Sequence, residues 1–203
     1  MSETTHISAD WFNRSSLSVA EELIGCILVR EINGETIRGQ IVETEAYQEG
    51  DPAMYAYQTK TKHNAVVFGP AGIAYVYRIY RQYHCFNIVT DRDGFPSTIL
   101  IRAVDLETLP SWVDPKKDKL PRVAAGPGKL CRSLQIDESL KGIPIQPQSG
   151  LWVEHRPKAV AEWMKAGVMA ITQTTRIGLS KGADIPWRWY LSDSPAVSKK
   201  AKA

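Results

Sequence analysis

Glu43 and Glu45 stand two residues apart in the run Arg38-Gly39-Gln40-Ile41-Val42-Glu43-Thr44-Glu45-Ala46-Tyr47. Side chains alternate along a strand, so both carboxylates share one face while Val42, Thr44 and Ala46 point to the other. A solvated strand has little use for two acids on one face beside a tyrosine. One carboxylate of such a pair is a candidate for chemistry, because it can activate a water molecule and stabilise a developing positive charge.

A second concentration of functional groups lies at Ala74-Tyr75-Val76-Tyr77-Arg78-Ile79-Tyr80-Arg81-Gln82-Tyr83, where four tyrosines and two arginines fall within ten residues. Tyr75 and Tyr77 point to one face of the strand. Two readings stand side by side. Tyrosine favours half-buried strands, so this is an ordinary sheet element. Alternatively, aromatic rings interleaved with cations form a stacking platform for exposed bases. Asn87 and Arg102 add polar groups on neighbouring strands, where a core would prefer apolar ones.

The elements that must position these groups can be read from local signals. Ser18 and Glu21 have capping-box spacing, and Gly25 suits a helix end, which predicts a short helix over 18–24. Residues 26–31 read as an apolar strand, and Asn33-Gly34 is a strong type I′ turn signal. The returning strand carries Glu43 and Glu45, so the acids sit on a hairpin, not on a loose loop. Residues 48–64 read as a long loop. Strands follow over 73–80, 83–90 and 97–103, with a turn at Asp91–Gly94. A proline- and lysine-rich connection at 110–121 leads to a helix over 124–134, and later strands are expected at 151–154, 174–179 and 187–191. No βαβ alternation occurs and no G-x-G-x-x-G follows a strand, which argues against a dinucleotide fold. The expected class is α+β, a single compact domain around a curved, mostly antiparallel sheet with flanking short helices.

The chain has 203 residues and a formal net charge of +3, compatible with a nucleic-acid partner but not diagnostic of one. Cys26, Cys85 and Cys131 are widely spaced and odd in number, which argues against a zinc site or a disulfide framework and for reduced thiols in the cytoplasm. No window approaches a membrane span, and no cleavage-site pattern opens the chain. Residues 1–8 and 193–203 are expected to be tails, the second disordered and basic, around a domain at 9–192.

The motifs, taken in order, resemble a known family. Gly39-Gln-Ile-Val-Glu-Thr-Glu-Ala-Tyr47, Asp51-Pro-Ala, Thr61-Lys-His-Asn64, Phe68-Gly-Pro70, Ala74-Tyr-Val-Tyr77, Tyr80, Cys85-Phe-Asn87 and Ile99-Leu-Ile-Arg-Ala103 look like the alkyladenine (3-methyladenine) DNA glycosylase family. Gly126-Pro-Gly-Lys-Leu130, Thr175-Arg-Ile-Gly178 and Pro186-Trp-Arg-Trp-Tyr190 continue the pattern, and the resemblance runs from about residue 9 to 192. It implies a monofunctional repair enzyme that flips alkylated or deaminated purines out of double-stranded DNA and hydrolyses the N-glycosyl bond. It also implies a monomer with no metal and no cofactor, at the nucleoid if the cell is bacterial.

The same resemblance assigns roles. Glu45 becomes the general base, with Arg102 orienting the catalytic water, and Glu43 structural. Tyr47 and Tyr77 sandwich the base, Asn87 guards the purine pocket, and Tyr80 is the wedge in the duplex. By their charge rather than by the family pattern, Arg81 beside the wedge and Lys129 at a helix N-terminus are expected at the DNA backbone. Two positions depart from the family pattern. Tyr55 stands where the family has a base-contacting histidine, and Arg81-Gln82 replaces Gly-Met after the wedge. The competing reading is a non-catalytic binder of damaged or distorted nucleic acid, which would have no use for a base such as Glu45.

Overall fold

The computed structural model describes residues 6–54, 56 and 59–201. Its organising element is a 14-residue strand. β1 (Ile27–Ile32) turns at Asn33 and Gly34, both at positive φ, into β2 (Glu35–Gln48), and Ile32 pairs with Glu35. This is the two-residue turn that Asn-Gly specifies, because its twist matches that of the flanking strands. β3 (Ala74–Ile79), β4 (Tyr83–Val89) and β5 (Ser97–Leu106) form a meander, and β6 is Leu151–Glu154. Neighbours run β3-β4-β5-β2-β1-β6, all antiparallel. The α+β expectation holds.

β2 changes partners along its length. Up to Gln40 it pairs with β1, and at Glu43–Glu45 it pairs instead with β8 (Arg188–Leu191), which carries β7 (Ile171–Thr174) on its other edge. β5 follows the opposite edge of β2 from Gly39 to Gln48, with register shifts on both sides of Glu43. Bulges of this kind bend a sheet and re-aim side chains next to functional sites. At Gly39 the two strands approach so closely that an added Cβ would lie 2.5 Å from Val104 and 2.8 Å from the Asp105 carbonyl. Only glycine fits there.

Helices cover one face. α1 is Ala9–Phe12 and α2 is Ser16–Glu22. The Thr44 hydroxyl donates to the Ala20 carbonyl at 2.8 Å, which sets α2 on the Val42/Thr44/Ala46 side of β2. Phe12, Val19, Leu23, Ile24, Ile99 and Ile101 complete the buried apolar layer there. With this face sealed by hydrocarbon, Glu43 and Glu45 must point to the other. α3 (Pro127–Ser133) packs on β4 and β5, and α4 (Lys158–Lys165) lies near the surface with only Val160 buried.

Several boundaries differ from expectation. α2 starts earlier than predicted, because the Ser15 hydroxyl accepts the Leu17 amide and caps the helix before Ser18 is reached. The expected strand at 174–179 is instead β7 at 171–174. Gly178 sits at positive φ, and Arg176 and Ile177 leave the ladder to bond elsewhere. α1 and α4 had no sequence counterpart.

Both expected tails need correction within the described residues. Ile7 is fully buried and its amide donates to the Val153 carbonyl. Ala196 and Val197 close the core, while Arg122 donates to the carbonyls of Pro195, Val197 and Ser198. The lysines near the C-terminus concealed an apolar pair that the core needs.

Candidate active site

Glu45 is entirely excluded from solvent. Its Oε2 accepts from the Tyr47 hydroxyl at 2.8 Å and from Arg102 Nη1 at 3.1 Å. Its Oε1 accepts from the Ile177 amide at 2.8 Å. Each carboxylate oxygen can accept two hydrogen bonds, and among the described residues Oε1 accepts one. The carboxylate is thus fixed by three donors from three segments.

Arg102 reaches Glu45 from the neighbouring strand. Alternation from Leu100, the partner of Glu45, puts it on the carboxylate face, where its Nε lies 3.4 Å from Glu43 Oε1. Burial works against its positive charge, but the carboxylates of Glu45 and Glu43 outweigh that and hold the guanidinium above the ordinary arginine value. Glu43 faces the same way as Glu45, as strand alternation predicts, and bonds instead to Arg188 Nη1 and the Ser198 amide, each at 2.8 Å.

In front of this buried charge cluster lies an open cavity of about 630 Å³, lined by Tyr47, Tyr75, Tyr77, Asn87, Met54 and His63 among others. The Glu45 carboxylate does not itself line the cavity; its link to the cavity wall is the Tyr47 hydroxyl. Burial first, and then the Glu45 charge, pushes the Tyr47 phenol far above its ordinary range. Burial and the hydrogen bond to the Cys85 thiol do the same for Tyr77. Both rings are therefore neutral hydroxyl donors. Tyr75 and Tyr77 rings lie 5.3 Å apart with a 33° tilt. Asn87, 3% exposed, spends an amide N–H on the Tyr75 carbonyl at 3.2 Å, which fixes its orientation in the wall.

The remaining expected residues lie towards the surface. Tyr80 is 83% exposed at the tip of the β3–β4 hairpin. It and Arg81 both hold positive φ (47° and 64°), a conformation that costs a bulky residue of order 1–3 kcal/mol. Lys129 is exposed on α3, the helix that meets this hairpin: an added Cβ at Gly128 would lie 2.9 Å from the Tyr83 ring. Tyr55 lies outside the described residues. Among the described residues no cluster of three or more His, Cys, Asp or Glu side chains could hold a metal ion.

A buried carboxylate is thus held by an arginine behind an aromatic cavity. Residues 10–195 match the profile of the family described as methylpurine-DNA glycosylase. The chain belongs to the methylpurine-DNA glycosylase family. A protein of Trichodesmium erythraeum (strain IMS101) is 49% identical over 206 residues, covering 98% of this chain and all of that one. A protein of Synechococcus sp. (strain JA-3-3Ab) is 49% identical over 93% of this chain and 97% of its own. One of Carboxydothermus hydrogenoformans is 41% identical over 94% and 97%. All three carry the name "Putative 3-methyladenine DNA glycosylase".

Within this glycosylase domain, three contributors were given no role by sequence reasoning. Arg176 is buried with Asp51, donating to both of its carboxylate oxygens, and also donates to the Ala46 carbonyl at 2.9 Å. Its guanidinium lies 4.6 Å over the Tyr47 ring and 5.3 Å from the Trp187 ring. Ile177 contributes a backbone amide, which no side-chain motif reveals. The C-terminal segment contributes the Ser198 amide. For Arg176 and Asp51 a signal existed, since both fall within motif runs quoted for the family resemblance.

Proposed function

We propose that this protein is a monofunctional DNA glycosylase. It accepts an alkylated or deaminated purine, flipped out of duplex DNA, into the aromatic cavity. It then hydrolyses the N-glycosyl bond with a water activated by Glu45 and leaves an abasic site. The observation that carries this reading is Glu45 itself: a buried carboxylate, held by Tyr47, Arg102 and Ile177 directly behind the aromatic cavity. A protein that only bound DNA would have no use for it.

The chemistry follows from the bond. Breaking C1′–N develops oxocarbenium character at the sugar, which a nearby carboxylate stabilises while it takes a proton from the attacking water. Arg102 orients that water together with Glu45. A 3- or 7-alkylated purine is already cationic and leaves without further protonation, so a second catalytic acid is not required. A purine cation between Tyr47 and Tyr77 gains roughly 0.5–2 kcal/mol from the ring faces. Asn87 tests the purine edge, and Tyr55, which stands where the family pattern has histidine, is a further base-binding residue.

A base within a duplex must leave the stack at a cost of a few kcal/mol. Tyr80 is the side chain offered to fill the gap, and its exposed, strained setting suits an insertion loop. Arg81 and Lys129 lie on that surface as phosphate partners. A lyase reaction would need an amine at C1′. Lys141 lines the cavity, and its ammonium sits 5.7 Å over the Tyr75 ring. We assign it no covalent role. The protein acts as a cytoplasmic monomer on damaged double-stranded DNA, without metal or cofactor.

The test is single-turnover excision on duplexes carrying 3-methyladenine, 7-methylguanine, hypoxanthine or ethenoadenine. Glu45→Gln is expected to lower the rate by about 10²-fold or more, with affinity for an abasic-site analogue retained. Borohydride should trap no adduct with abasic DNA. Tight binding with no abasic product from any lesion would make the protein a binder, not an enzyme.

A further inference from the structure

Glu43 is used by no step of that reaction, yet it is as deeply buried as Glu45. Its Oε1 accepts from Arg188 Nη1 and lies 3.4 Å from Arg102 Nε, and its Oε2 accepts from the Ser198 amide. Arg102 meanwhile turns its Nη1 to Glu45. The guanidinium therefore spans two carboxylates on one strand face, through a hydrogen bond to Glu45 and an ion pair with Glu43 in which Nε makes no hydrogen bond. A single carboxylate leaves an arginine free to swing about that contact, whereas two fix its plane.

The supports of Glu43 are themselves tied down. Arg188 Nη1 also donates to the Lys199 carbonyl at 2.9 Å, and its Nε donates to the Thr175 carbonyl at 2.7 Å. Thr175 lies two residues before Ile177, whose amide holds Glu45. Arg122 grips the same C-terminal segment through the carbonyls of Pro195, Val197 and Ser198. The row runs from Ser198 through Glu43 and Arg102 to Glu45 and on to Ile177, with Arg188 touching both ends.

We infer that Glu43, held by Arg188 and by the Ser198 amide, is a positioning residue that fixes Arg102 on Glu45, and that residues 195–199 are part of the support of the active site. The inference rests on the reading of Glu45 as the water-activating base. It separates from a purely structural role for Glu43 in a definite way. An anchor for the C-terminus would affect folding alone. A positioning residue affects the excision rate, leaves DNA affinity intact, and acts only through Arg102.

The experiment compares Glu43→Gln, Ser198→Pro and Arg102→Lys, with the Glu43→Gln/Arg102→Lys double variant. Single-turnover rates are read on the lesion that the wild type removes fastest, and affinity on a duplex with a tetrahydrofuran abasic analogue. Glu43→Gln is expected to slow excision about tenfold or more, because a misaligned reacting geometry is costly, and to leave affinity within about threefold. Lysine keeps the charge but cannot span two carboxylates. On the Arg102→Lys background Glu43→Gln should therefore cost less than about threefold more, which is the coupling expected of residues acting as one unit. Ser198→Pro removes the amide donor to Glu43, together with a hydroxyl that bonds nothing among the described residues, and should slow excision with the same retention of affinity. It decides the matter if Glu43→Gln does not fold. Unchanged rates with lowered melting temperatures, or equal losses on both backgrounds, would make Glu43 an anchor and overturn the inference. A wild type that removes no lesion overturns the Glu45 reading, and this inference with it; an active wild type with uncoupled Glu43 overturns the inference alone.

Discussion

Asp51 and Arg176 are 125 residues apart in sequence and close on each other with both side chains excluded from solvent. The arginine is also the cation over the Tyr47 ring. Burial makes this pair costly to break, since the remaining charge would stay in a low-dielectric site without its partner. Asp51→Asn should lower stability by about 3–5 kcal/mol, read as a fall in the urea midpoint with an unchanged slope. It should also loosen Tyr47 and reduce excision beyond the effect of unfolding. A variant as stable as wild type would mean that the Ala46 and Gly182 carbonyls alone suffice to hold Arg176.

Tyr47 has two separable parts, a ring in the cavity wall and a hydroxyl on Glu45. Tyr47→Phe keeps the ring and removes one of the donors that orient the carboxylate. Excision is expected to fall about 10- to 100-fold, in proportion to one lost charge-assisted hydrogen bond of roughly 1.5–3 kcal/mol, with binding to the abasic analogue kept. Tyr47→Ala should lose lesion binding as well. If phenylalanine and alanine behave alike in single-turnover kinetics, the ring has no stacking role and the hydroxyl carries the whole effect.

Tyr80 should act on flipping rather than on bond breaking. Tyr80→Ala is expected to slow removal of a lesion from duplex DNA more than from single-stranded DNA, because only the duplex has a stack to open. Equal losses on the two substrates would take Tyr80 out of the wedge role. Gln82 would then be the next residue to test, since Tyr83 is packed against Gly128.

The thiols give a pH prediction. Burial pushes the Cys26 thiol from 9.0 up to about 11, and burial raises Cys85 and Cys131 as well. The folded state then favours the protonated thiol. The stability this contributes is fully present below pH about 9 and is lost as pH rises towards 11. Urea unfolding between pH 8 and 10.5 should show this decline, and Cys26→Ala should lessen it. At pH 8 the native protein should resist iodoacetamide at all three positions, since the thiolate is the reactive form. Rapid labelling of folded protein would show the thiols to be accessible and ionised.

The strand with Glu43 and Glu45, its Asn-Gly hairpin and the YVY strand were legible because strand alternation and turn chemistry are local. A carboxylate two residues from another must share its face, whatever the rest of the chain does. The boundaries of β7 and of the C-terminal segment were not legible, because long-range bonds override local propensity there. Arg176 leaves a β-like run to meet Asp51, and Ala196-Val197 enters the core amid polar residues. The sequence alone determined the face that carries the acids, the strand that carries Tyr75 and Tyr77 and, by its motifs, the family. Only the tertiary structure decided which groups hold Glu45. Arg102, the Ile177 amide and the Glu43–Ser198 support arrive from strands and loops 57 to 155 residues away. No local pattern records a meeting of that range, because it is fixed by how the bulged β2 exchanges β1 for β8 and turns its acids towards them.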